Sequence, residues 1–158
     1  MPSEFSLIDK YFNLYKTKAY KGIGDDAALL KKDNNYLWAI STDMLNEKTH
    51  FLPNTNPFNL GWKALAVNIS DIYAMGGIPK FALLAIALPK LREDWIKEFS
   101  KGLFSCAKKY KVELIGGDTS KGPLSISICL LGEVLKNNTL LRSKAKREDD
   151  IWVTGELG

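Results

Sequence analysis

Five aspartates follow or close apolar segments at four separate places, and a fold for this chain must bring each to a setting that tolerates charge. They are Asp25 and Asp26 in Gly22-Ile23-Gly24-Asp25-Asp26-Ala27-Ala28, Asp43 in Ser41-Thr42-Asp43, Asp71 in Asn68-Ile69-Ser70-Asp71, and Asp118 in Gly116-Gly117-Asp118-Thr119. A carboxylate carried into apolar surroundings without a partner is costly to desolvate. Hard divalent cations are the usual remedy, because Mg²⁺ takes carboxylate oxygens together with substrate phosphates. Taken jointly, the four acidic places argue for one magnesium–phosphate site.

The chain between them reads as an α+β domain. Its 158 residues suit one compact unit with a hydrophobic core. Phe5, Ile8, Tyr11 and Phe12 share one face of a short opening helix that runs to about Tyr15. Short strands are expected over 27–30 and 36–41, the second delivering Thr42 and Asp43 at its end. Pro57 can begin a long helix. Leu65, Ile69, Ile72 and Met75 form its apolar stripe, and Gly76-Gly77 with Pro79 end it. Phe81 to Leu88 reads as a buried strand. Trp95, Phe99, Leu103 and Ala107 mark a second long helix over 92–109. Further strands are expected over 112–115, 124–134 and 151–154. The sum is two long helices with about six strands, and no internal repeat or linker.

Composition removes several function classes. A net charge of +4 is modest, and the basic cluster of Lys136, Arg142, Lys144, Lys146 and Arg147 has no interleaved aromatics of the kind that stack on nucleic acid. That cluster is either a solvated surface or an attractor of phosphates. Neither Cys106 nor Cys129 belongs to a CxxC pair, so zinc and redox motifs are unsupported and reduced thiols are expected. The first residues lack a basic segment followed by an apolar stretch, and no apolar run reaches membrane-spanning length. A cytoplasmic protein that engages neither membrane nor nucleic acid is the expectation.

Each motif also has a plainer reading. Asp25-Asp26 is either a solvated turn or a pair that a cation must neutralise. Ser41-Thr42-Asp43 offers oxygen ligands, or a helix cap. Asp71 stands inside an apolar helix, where aspartate has poor propensity and poor burial prospects. The glycines at 116 and 117 form either an ordinary turn or a backbone surface that lets N–H groups approach phosphate. No Walker A or Rossmann spacing is present. On position alone the single histidine, His50, reads as structural.

The same residues resemble those of the thiamine-monophosphate kinases, relatives of aminoimidazole ribonucleotide synthetase, selenophosphate synthetase and a hydrogenase maturation factor. The segments that carry the resemblance are 4–8, 22–29, 40–43, 50–51, 63–71, 74–77, 114–119 and 141–143. They keep the family's order and spacing along nearly the whole chain. The resemblance implies an aminoimidazole ribonucleotide synthetase N-terminal-like domain, with a mixed sheet and two long helices packed on one face. In a homodimer the sheets would pair into a barrel, with nucleotide near the interface. It also implies magnesium ligands at Asp26, Ser41, Thr42, Asp43, Asp71 and Asp118, with ATP contacts at Gly117, Asp118 and Arg142. His50 becomes the thiamine monophosphate contact, against its plainer reading. The implied reaction is direct transfer of the ATP γ-phosphoryl group to thiamine monophosphate, yielding thiamine diphosphate without a covalent nucleophile.

The resemblance covers only the first half of such an enzyme. Residues 1–158 correspond to the ATP- and Mg²⁺-binding N-terminal domain, and the family's C-terminal domain, with its further metal, ATP and thiamine contacts, is expected to be absent. Two alternatives stand beside the kinase. One is a catalytically incomplete nucleotide-binding or dimerisation module; the other is a superfamily member with a different substrate. His50-Phe51 after Ser-Thr-Asp favours the thiamine enzyme.

Overall fold

A computed structural model of the chain describes residues 3–14, 17–153 and 155. Its elements run α1 (Glu4–Tyr11), β1 (Ala28–Lys31), β2 (Tyr36–Asn46), α2 (Pro57–Ala74), β3 (Ile78–Leu88), α3 (Glu93–Tyr110), β4 (Glu113–Lys121) and β5 (Ser125–Leu135). Two 3-10 turns follow at Lys136–Asn138 and Arg142–Lys144. The five strands form one sheet in the order β1-β2-β5-β3-β4. All neighbours are antiparallel except β3 and β4, which are parallel and joined through α3. A parallel pair needs such a crossover, and an amphipathic helix is the usual means.

Alternation along the strands separates two faces. Leu37, Ala39 and Leu45 of β2 and Ile126, Ile128, Leu130 and Val134 of β5 are buried beneath α2. The intervening residues, Trp38, Ile40, Thr42 and Met44 on β2 and Cys129 and Leu131 on β5, belong to the other face, which no element among the described residues covers. Met44 there is 56% exposed. The long helices stack on one side, α2 against the sheet and α3 against α2.

Their backbones touch where they cross. A Cβ placed on Gly61 of α2 would stand 2.0 Å from the Phe99 carbonyl oxygen, and one on Gly102 of α3 would stand 1.8 Å from that of Phe58. Only a residue without a side chain fits such an approach.

Four expectations about elements are corrected. β2 continues five residues beyond 41, because Met44, Leu45 and Asn46 keep full register with Ser127, Ile126 and Ser125 of β5. The Gly116-Gly117-Asp118-Thr119 segment is strand rather than turn, because parallel pairing with β3 carries β4 on to Lys121. The strand expected at 151–154 is not formed over Ile151, Trp152 and Val153, which are exposed and find no ladder partner among the described residues, and Thr154 lies outside the described residues. The opening helix ends at Tyr11, and Tyr15 also lies outside the described residues.

Candidate metal and phosphate site

The site forms where β2, α2 and two loops meet at one end of the helix-covered face. β2 carries Ser41 and Asp43 on that face, and Ser41 is 7% exposed. α2 lays Asn68 and Asp71 opposite them, three residues apart and so neighbours on the helix surface. Ser41 Oγ donates to Asp71 Oδ2 at 2.6 Å. The Asp43 backbone N–H donates to Asn68 Oδ1 at 3.0 Å, while Asn68 Nδ2 donates to the Ala64 carbonyl at 3.1 Å. Asn68 is therefore a brace that fixes the strand backbone at Asp43. Its signal in the sequence was available: a polar amide in an apolar helix, one turn before an aspartate.

The turn over 22–26 adds Asp25 and Asp26, and the 3-10 turn at Arg142–Lys144 adds Arg142. The Arg142 guanidinium pairs with Asp26 Oδ1 through Nη2, and its Nε lies 4.0 Å from Asp25 Oδ1. Asp25 behaves differently from its neighbour. Its side chain is 1% exposed, with Lys21 Nζ 3.8 Å from Oδ2, yet that oxygen has no hydrogen-bond partner among the described residues. A groove of about 670 Å³ joins these groups. Its walls are Phe5 and Ile8 of α1, residues 22–28, residues 40–43, Asp71 and Arg142.

The electrostatics favour a cation here. Burial pushes the Asp71 carboxyl above its ordinary value; the Ser41 hydroxyl opposes this, while the Asp43 and Asp26 charges reinforce it. Arg142 is shifted upward chiefly by its bond to Asp26. One guanidinium thus faces several carboxylates. Among the described residues no three histidine, cysteine or acidic side chains cage a metal by themselves. That is not what Mg²⁺ requires, since it commonly takes one or two carboxylates and completes its shell with water and substrate phosphate. The all-oxygen donors and the orphaned Asp25 oxygen fit such a cation.

The sequence-predicted residues divide into two groups. Asp26, Ser41, Thr42, Asp43, Asp71 and Arg142 line the one groove. Gly117, Asp118 and His50 do not. Asp118 pairs with Ala85 of β3, in the row that continues through Ser127 to Met44 on the uncovered face. It is three strand spacings from β2, about 14 Å away. Gly117 has φ +148°, and a Cβ there would stand 1.8 Å from the Leu84 carbonyl oxygen, so its glycine has a packing reason independent of any ligand. His50 lies in the exposed turn after β2.

Comparison with known proteins gives the family of this fold. Residues 24–134 match the family described as AIR synthase related protein, N-terminal domain. A thiamine-monophosphate kinase of Buchnera aphidicola from Schizaphis graminum is 48% identical across 99% of this chain, which corresponds to 49% of the relative. The Escherichia coli enzyme of the same name is 46% identical over 98% of this chain and 49% of its own length. The solved structure of AaThiL complexed with AMPPCP and TMP superposes with a TM-score of 0.76 at 39% identity, covering 84% of this chain and 42% of that one. The chain thus spans about half the length of the curated relatives it matches.

Proposed function

The chain belongs to the AIR synthase related protein family, and on that premise we propose that it is the nucleotide- and metal-binding half of a thiamine-monophosphate kinase. The observation that carries this reading is the convergence of Asp26, Ser41, Asp43, Asp71 and Arg142 in one groove, within a chain almost half identical to enzymes of that name. The substrates are ATP and thiamine monophosphate, as the ligands of the solved relative suggest. The residues of this groove that would hold Mg²⁺ are Asp26, Ser41, Thr42, Asp43 and Asp71, and Asp118 would join them from a second copy of the chain. Bound there, the ion supplies neutralisation of the charge that develops on the transferred phosphoryl group.

The chain's own residues do the rest by positioning. Ser41 and Asn68 hold Asp71 and the Asp43 backbone in fixed geometry before any ligand arrives. Preorganised groups of this kind need no rearrangement during the reaction. Arg142, now paired with Asp26, is the donor for phosphate oxygens, and Gly117 and Asp118 complete the ATP contacts. His50 contacts thiamine monophosphate. We assign a homodimer, because the face bearing Met44, Leu131 and Leu83 is uncovered and a second sheet would bury it. Asp118 stands on that same face, so its role belongs to the dimer rather than to the groove of its own copy.

Fusing this chain to the C-terminal half of the Escherichia coli relative tests the reading. The chimera is expected to transfer phosphate from ATP to thiamine monophosphate, and Asp71→Asn in this half is expected to remove about two orders of magnitude of rate. A folded chimera that transfers to no thiamine phosphate, or an Asp71→Asn variant of full activity, would contradict it.

A further inference from the structure

His50 is the chain's only histidine, and the turn that presents it is tied down unusually well. Its backbone N–H donates to the Asn46 carbonyl at 2.9 Å, and Thr49 N–H reaches the same oxygen at 3.2 Å. Lys48, with φ 69°, donates its N–H to the Phe51 carbonyl at 2.7 Å, and the Phe51 side chain is buried in the core. The imidazole is itself part of the turn, for Nδ1 accepts the Asn46 backbone N–H at 3.0 Å. A ring nitrogen that accepts carries no proton, so a neutral imidazole here has its proton on Nε2. Among the described residues Nε2 has no hydrogen-bond partner.

Besides the buried Phe51, a second side chain anchors this turn to the helix layer. Lys63 Nζ of α2 donates to the His50 carbonyl at 2.7 Å. Among the described residues Lys63 makes no ion pair that would draw its ammonium away from that carbonyl. Eight residues further along the same helix stands Asp71, about 12 Å away along the axis, and between them Asn68 braces Asp43. A single rigid helix therefore spaces the histidine turn from the carboxylate groove.

We propose that Lys63 is a positioning residue for substrate recognition: by holding the His50 carbonyl it keeps Nδ1 on Asn46 and presents Nε2–H as a neutral donor to an acceptor atom of the substrate. The ligand's identity rests on the kinase reading above; the locking of the ring does not. The atom recognised is a hydrogen-bond acceptor, such as a phosphate oxygen or an unprotonated ring nitrogen, and Nδ1 is withheld from it.

Because the chain has one imidazole, a long-range ¹H–¹⁵N spectrum of the labelled chain reports on His50 alone. The wild-type ring is expected to show an unprotonated, hydrogen-bonded Nδ1 and a protonated Nε2, and thiamine monophosphate is expected to shift Nε2 selectively. Lys63→Met should move both nitrogens toward their exchange-averaged positions and weaken the thiamine monophosphate titration about threefold to tenfold, with Lys63→Arg restoring both. Amide spectra unchanged outside the turn will show that the fold persists. A ring that stays locked in Lys63→Met, with an unchanged titration, overturns the proposal. A ring that loosens in Lys63→Met but never responds to thiamine monophosphate upholds the positioning and overturns the substrate reading of His50 instead.

Discussion

Asp71 concentrates the conflict on which the site depends. Its carboxyl is raised first by burial and then by Asp43 and Asp26, with Ser41 Oγ and Arg142 pulling the other way. Its charge is thus a cost to the fold that a bound cation would offset. Asparagine at this position keeps an oxygen for Ser41 to donate to and removes the repulsion. The Asp71→Asn protein should therefore melt at or slightly above the wild-type temperature, its stability changed by no more than about 1 kcal/mol. A fall of many degrees by scanning calorimetry would make Asp71 a structural residue instead. At this scale the sequence was informative wherever a charge broke an apolar pattern, as at Asp71. Asn68 carries a signal in the sequence, a polar amide in an apolar helix, but not its role, because only the register of α2 on β2 reveals that it holds Asp43.

The elements were legible where hydrophobic period governs them and less so where pairing does. Both long helices begin and end within a residue or two of expectation, since Pro57, Gly76 and the apolar stripes are local signals. β4 was not foreseen past residue 115, because nothing local makes a strand of Gly116-Gly117-Asp118-Thr119; the backbone of β3 does. Pro79 likewise sits within β3, beside the register shift where a missing N–H is tolerated. The helix crossing is a second feature the pattern conceals. Gly102→Ala would drive a methyl group into the Phe58 carbonyl. Such overpacking costs about 1–3 kcal/mol, so the melting temperature should drop by roughly 3–10 °C. An unchanged melting temperature would mean that the two backbones are not in contact.

The whole molecule has one covered face and one open one, and its groove and histidine turn are spaced along a single helix. No helix among the described residues is long and apolar enough to cross a membrane. If two copies meet there, Leu83→Lys, at a position 38% exposed in the single chain, should convert a dimer into a monomer in sedimentation experiments while the secondary structure persists. A wild-type chain that sediments as a monomer at every concentration would remove the dimer, and with it the role given to Asp118. The central claim is that the carboxylate groove holds a nucleotide through magnesium. It is tested most directly by titrating AMPPCP into the chain in a calorimeter, with Mg²⁺ and with excess EDTA. Weak binding that requires Mg²⁺ and is lost in Asp71→Asn is the predicted result; binding of equal strength in EDTA, or undiminished in Asp71→Asn, would contradict it.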